Sequence, residues 1–278
     1  MKTLKLISFG FLFFFISTPS VFAAETAYDI IVVAGQSNAE GMGLGPAPDD
    51  PSRDSLIFQL GRYQQDDMKI VPATDQLQTW MYPHNRVGFG MSFAREYAKT
   101  LSAGRKVLLV PVALGGSSIL QWDSSQLLYV NMKQRIQFAL NQNAGNRIVA
   151  FLWHQCESDI IFLKDNQAKM PSAERYQELL SAFLTNVRND FPSNPLFPIL
   201  MGEPVSSWLF NNWARKKIVM RMHELALKDP PSEIYYVSSA DLPSNGEVPA
   251  LNSKDYIHFS AEAQIQFGKR YYRVFSTR

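Results

Sequence analysis

DIIVVAGQSNAEGMG, Asp29 to Gly43, drives five apolar residues (Ile30 to Ala34) straight into Gly35-Gln36-Ser37-Asn38 before the chain turns polar and glycine-rich. An apolar run without alternation suits a strand buried on both faces, and such strands belong to parallel sheets covered by helices. Similar runs recur as LIFQL (56–60), VLLVPV (107–112), IVAFLW (148–153) and FPILMG (197–202), with IYYVSS (234–239) as a further candidate. Between them lie helical periods: Phe89, Phe93, Ala94, Tyr97 and Leu101; Met132, Ile136, Phe138 and Leu140; Tyr176 to Val187; Ile218 to Leu227; and Ala263 to Phe275. Strands alternating with helices predict a three-layer α/β/α sandwich around a central parallel sheet of about five strands. Gly61 to Gly88, rich in Gln, Asp and Pro, reads as a surface insertion.

Ligands of such sheets bind outside the carboxyl ends of the strands. That rule gathers four loops at one rim: GQSNAEG after the first strand, LGGSSILQW after the third, HQCESD after the fourth and EPVSSW after the fifth.

The N-terminus is read separately. Lys2 and Lys5 precede an apolar run, Leu6 to Ile16, and small residues follow up to Ala23. That is the pattern of a secretory signal peptide, with cleavage expected after Ala23 and export to the periplasm or medium. Its apolar run is shorter than the roughly 20 residues a membrane span needs. Residues 24–278 then read as a single domain, since no Pro/Gly/Ser-rich linker divides them.

Composition excludes several classes of function. With 46% hydrophobic and 13% aromatic residues the chain can bury a large core. A formal charge of +2 without a Lys/Arg stripe argues against nucleic acid as a partner. One cysteine, Cys156, permits no internal disulfide, and four histidines in all (His84, His154, His223, His258) leave little for a metal centre. No metal and no cofactor is expected.

Ser37 raises the central question, because a serine hydroxyl attacks only when a base removes its proton and a third group orients that base. NSKDYIHFSAEAQ near the C-terminus supplies both, with Asp255 three residues before His258. Ser260 reads as the N-cap of the last helix, which puts His258 on the loop before it. Attack on an ester also develops an oxyanion needing aimed donors. Candidates are the Ser37 backbone N–H, the backbone at Gly115-Gly116 and the Gln155 side-chain amide.

Together, Gly35-Gln36-Ser37-Asn38, Gly115-Gly116-Ser117 with Ile119 and Trp122, His154-Gln155-x-Glu157-Ser158-Asp159, and Asp255-x-x-His258 resemble the ordered blocks of the SGNH-type hydrolases. More narrowly they resemble the sialate O-acetylesterase-like branch, with the family 6 acetylxylan esterases. The resemblance spans about Asp29 to Phe267. It implies a flavodoxin-like α/β/α fold and cofactor-free deacetylation of an acetylated glycan through an acyl-enzyme. By the same resemblance Ser37 is the nucleophile, His258 the base and Asp255 its orienter, while Gly116, Gln155 and the Ser37 backbone fit the oxyanion positions. Gln36, Glu157 and Trp122 complete the expected site, Trp122 as a sugar-stacking ring in preference to a rim or core aromatic and Glu157 as a buried brace with His154. This chain has Cys156 where the family pattern has glycine.

Other readings compete at single positions. Ser37 taken alone reads better as a helix cap, and Asp-x-x-His alone as an ordinary loop pair; the four blocks in order reverse both. Gly115-Gly116-Ser117-Ser118 lacks the spacing and lysine of a phosphate loop. His154 and Glu157 lack a second histidine for a metal, Cys156 reads as a packed residue, and His84 and His223 as surface or structural. A lipase or thioesterase with the same triad, and a catalytically inactive carbohydrate-binding protein, remain the alternative functions. Oligomeric state is not legible.

Overall fold

The computed structural model describes residues 26–46, 51–79, 86–192, 196–228 and 233–278. The signal-peptide reading of residues 1–23 and His84 both lie outside the described residues.

Seven strands form one sheet: β1 (Ala27–Gly35), β2 (Ile57–Leu60), β3 (Ile70–Pro72), β4 (Arg105–Pro111), β5 (Arg147–His154), β6 (Ile199–Gly202) and β7 (Ile234–Val237). Their order is β3-β2-β4-β1-β5-β6-β7. All pairings are parallel except that of β3 with β2. The expectation of about five parallel strands is therefore corrected to six plus an antiparallel edge. The missed strand, β3, lies inside the segment read as an insertion; three residues, one of them proline, are too few to give a period.

The helices are α1 (Ser37–Glu40), α2 (Phe89–Ala98), α3 (Leu127–Asn141), α4 (Glu157–Lys164), α5 (Ala173–Asp190), α6 (Trp213–Lys228) and α7 (Ala261–Ser276). β1 shows how the layers arise from pleating, in which successive side chains leave opposite faces. Ile30, Val32 and Ala34 join a core completed by α3, α4, α5 and α6. Ile31 and Val33 join a second core completed by α2 and α7. Each fully buried Ile or Val contributes about 1.5–3 kcal/mol of hydrophobic stabilisation, which fixes β1 at the centre of the sheet.

The register is pinned at the other end of β1 by Asp29. Its buried carboxylate accepts from Arg105 Nε (2.9 Å), Arg147 Nε (2.7 Å) and Tyr97 Oη (2.7 Å). Burial pushes its pKa up, but the two guanidinium groups and Tyr97 outweigh that and hold it below the usual value. One side chain thereby ties β4, β1 and β5 together.

β1 lies between β4 and β5, so the chain leaves it toward one half of the sheet and later fills the other. That reversal opens the crevice in which open α/β sheets bind ligands, and the residues after Gly35 stand in it. Among the described residues, no helix is long and apolar enough to cross a membrane.

Candidate active site

Gly35 delivers Ser37 to the crevice. Its φ is +127°, a region L side chains rarely adopt, and a Cβ there would come within 2.0 Å of the His154 carbonyl oxygen. The turn can thus lie flat on the end of β5, with the Gln36 N–H donating to that same oxygen at 2.9 Å. Ser37 opens α1, where backbone N–H groups have no helical partner. Among the described residues, the N–H groups of Ser37 and Gly116 donate to no protein acceptor.

His258 arrives from the loop before α7, which Ser260 caps by accepting from Ala263 N (3.3 Å). The His258 Nε2 lies 2.8 Å from Ser37 Oγ, and its Nδ1 lies 2.9 and 3.0 Å from the two Asp255 carboxylate oxygens. With the Nδ1 proton on the Asp255 side, Nε2 is left as an acceptor for the serine O–H. Burial raises the Asp255 pKa, but hydrogen bonds from His258 and Asn245 override it and bring it down to about 2. Ser37 and the Asp255–His258 pair, more than two hundred positions apart in the sequence, are in hydrogen-bonding series.

Two buried amides hold the series together. Asn38 Nδ2 donates to Glu157 Oε1 (2.8 Å) and to the Ile257 carbonyl (3.1 Å), while its Oδ1 accepts from Phe259 N (3.2 Å). The residue after Ser37 therefore grips both sides of His258. Asn245, which sequence reasoning missed, donates to Asp255 Oδ2 (3.0 Å) and the Met42 carbonyl (3.0 Å) and accepts from Leu44 N (2.8 Å). Nothing in its local sequence marks it beyond a capping box, Ser244 to Glu247.

Glu157 is fully buried beneath this arrangement, paired with His154 Nε2 at 3.0 Å. Burial opposes its charge, yet His154 and Asn38 lower its pKa well below the ordinary range. It braces the site, as expected, and touches no ligand space; its grouping with substrate-binding residues is corrected. Gln36 is also a brace, its Oε1 accepting from Ser158 N (3.3 Å) and Gln155 Nε2 (3.3 Å), although it borders the cleft.

Two further expectations are corrected. Gln155 is fully buried, and its Nε2 is committed to Ser117 O (3.0 Å), Gln36 and Asp159 Oδ2. Both amide protons are thus engaged below the cleft, which leaves none for an oxyanion. Trp122 is likewise fully buried, edge-on to Trp153 at 4.9 Å, with its indole N–H donating to Ser117 Oγ at 3.2 Å. It is a core residue and cannot stack on a sugar.

Gly116 has φ +72° and open space where a Cβ would be, and its carbonyl accepts from Ser158 Oγ (2.9 Å). Cys156 has φ −179°, outside the left-handed region that favours glycine, and its side chain packs into the larger core. The resulting cleft, about 410 Å³, is bordered by Ser37, His258, Glu40, Gly115, Gly116 and Met42 among others. Gln76 and Thr79 from the segment read as an insertion reach it. Among the described residues no group of three or more His, Cys, Asp or Glu could hold a metal ion.

Residues 27–277 match the sequence model of the family described as carbohydrate esterase, sialic acid-specific acetylesterase. The chain is 31% identical over 183 residues to a "probable carbohydrate esterase" of Arabidopsis thaliana, covering 66% of this chain and 60% of that relative. It is 24% identical over 203 residues to a "probable 9-O-acetyl-N-acetylneuraminic acid deacetylase" of Escherichia coli (strain K12), covering 58% of this chain and 61% of that relative. The chain thus spans about three fifths of the length of these two curated relatives. A solved Arabidopsis thaliana protein superposes with a TM-score of 0.71 at 26% identity, over 91% of this chain and 99% of that one. The crystal structure of NanS shares the fold, with a TM-score of 0.73 at 19% identity over 91% and 98% of the two chains. With a family match over nearly its whole described length and the four sequence blocks converging on one cleft, the chain belongs to the sialic acid-specific acetylesterase family of carbohydrate esterases.

Proposed function

We propose that the protein is a serine esterase that removes O-acetyl groups from a carbohydrate through an acyl-enzyme. The observation that carries this reading is the series Asp255, His258, Ser37, with 2.8 Å between His258 Nε2 and Ser37 Oγ at the mouth of a cleft large enough for a sugar unit. Ser37 Oγ attacks the ester carbonyl as His258 Nε2 takes its proton. Asp255, ionised at any pH well above 2, balances the imidazolium and holds its Nδ1 proton. The tetrahedral oxyanion is met by the N–H groups of Ser37 and Gly116, both without protein acceptors among the described residues. His258 then gives that proton to the leaving sugar oxygen, which departs as a hydroxyl, and the same base activates water to release acetate.

The decisive measurement is acetate release from a panel of acetylated glycans by wild type and Ser37→Ala. The variant is expected to lose at least about 10⁴-fold in kcat/KM with an unchanged thermal transition; equal turnover would remove Ser37 from the mechanism.

Export belongs to the same reading and rests on the N-terminal pattern of residues 1–23. Its measurement is N-terminal sequencing of the protein recovered from periplasm and medium, expected to begin at Ala24; a chain retaining Met1 would contradict it.

A further inference from the structure

Glu40 is a carboxylate the esterase mechanism does not use, placed where the substrate must lie. It follows Ser37 by three residues on α1, a spacing that puts both side chains on one side of the turn, and it borders the same cleft as Ser37 and His258. One carboxyl oxygen is accounted for: Oε2 lies against Gly115, where a Cβ would come within 2.7 Å of it, and the Gly115 N–H donates to the carboxyl. The other, Oε1, is screened from solvent and has no hydrogen-bond partner among the described residues. A buried acceptor left unmatched is expensive unless a ligand completes it.

The charges around Glu40 come from three other elements. Arg62, after β2, is nearly buried with its Nη1 on the Ala113 carbonyl, and its positive charge favours the ionised carboxyl. Gly115 contributes its N–H from the loop after β4, and His258 stands across the cleft before α7. Burial is the largest influence and raises the Glu40 pKa above its ordinary value, against the pull of Arg62, the Gly115 N–H and His258. Among the described residues lining the cleft there is no Lys or Arg, and Glu40 is the one carboxylate.

We propose that Glu40 is a specificity-determining residue: its carboxylate, at the wall of the cleft, accepts a hydrogen bond from a free hydroxyl next to the acetylated one, and its charge turns away sugars bearing a carboxylate there. The substrate class is accordingly an O-acetylated neutral sugar, in contrast to the anionic sugar in the family's description. This proposal rests on the esterase reading above. A unit charge a few ångströms away in a partly hydrated cleft changes relative rates by about tenfold.

The experiment compares two acetylated probes that differ only in charge, the mono-O-acetyl methyl glucoside and the corresponding glucuronoside, in wild type, Glu40→Gln and Glu40→Ala. Wild type is expected to favour the glucoside by about tenfold in kcat/KM, the preference shrinking with added salt. Glu40→Gln keeps an acceptor but no charge, so its preference is expected to fall to about onefold; Glu40→Ala loses the acceptor as well and should raise KM for the glucoside. Circular dichroism establishes that both variants fold. A wild-type preference for the glucuronoside, or a ratio unchanged in Glu40→Gln, overturns the proposal. Calorimetric binding of both probes to Ser37→Ala reads the discrimination without turnover: equal affinities overturn it there too, whereas discrimination in binding without hydrolysis by wild type would sink the esterase reading alone.

Discussion

Asp159 shows how much of the site is decided one residue below the cleft. It is fully buried and accepts from Ile119 N (3.0 Å) and Gln155 Nε2 through Oδ2, with the Ser118 hydroxyl as a further hydrogen-bonding neighbour. Burial raises its pKa to about 6, although the hydrogen bonds pull the other way. An unfolded Asp titrates near 3.9, so between about pH 4 and 6 the native state binds more protons than the unfolded one. Stability conferred by this group therefore falls as pH rises through that window and stays lower above it, by up to about 3 kcal/mol at 1.36 kcal/mol per unit of pKa. Asp255 works with the opposite sign at lower pH: its depressed pKa gives stability that is present above about pH 4 and lost as pH falls toward 2. The two windows do not overlap. In Asp159→Asn the first window should vanish, so the unfolding free energy of the variant relative to wild type is expected to rise by up to about 3 kcal/mol from pH 4 to 6 and then level off. Urea unfolding at four pH values measures it; a flat difference would mean that Asp159 is ionised throughout.

At the scale of the elements, what was legible follows from where the physics is local. β1 could be read because its apolar run serves two cores at once, and α2, α5 and α7 because each buries one stripe at helical spacing. Ser37, Asp255 and His258 could be placed at one rim because strand ends determine loop positions. β3 escaped because it is three residues long and pairs antiparallel at the edge. α4 escaped for another reason: Glu157, Ser158 and Asp159 make its first turn polar, yet all three are buried by hydrogen bonding to the turn after β1 and to the Gly116–Ile119 stretch. Sequence pattern treats such residues as loop. Trp122 and Gln155 were misjudged by the same limit, since their sequence position beside the glycine turn and the histidine says nothing about which face of the backbone they leave. Glu40 and Asn245 are fixed in place by partners far along the chain, Gly115 for one and Met42 and Leu44 for the other, and no local period carries that information.

For the whole molecule, the single cysteine offers a reporter of how cooperatively the two cores are joined. Cys156 sits between β5 and α4 in the larger core, fully buried, and burial pushes its thiol pKa well above the ordinary value. A thiol reagent needs the exposed thiolate, so labelling must wait for an opening. Exposing Cys156 means separating the end of β5 from α4 and from Tyr176, whose hydroxyl donates to the Gln155 carbonyl at 3.0 Å. β5 in turn pairs with β1 and β6 and lends side chains to both cores, Phe151 and Trp153 to one, Ala150 and Leu152 to the other. An opening that frees the thiol therefore breaks the centre of the sheet and both layers together. Native labelling by an aromatic disulfide reagent is expected to be at least about a thousandfold slower than in the unfolded chain, given ordinary domain stabilities. Its logarithm should rise with urea along the slope of the global transition, with the same midpoint by circular dichroism. Rapid labelling without urea, or a shallow slope, would instead show that the turn from His154 to Glu157 opens by itself, and the brace beneath Ser37 would then be a separable unit of the fold.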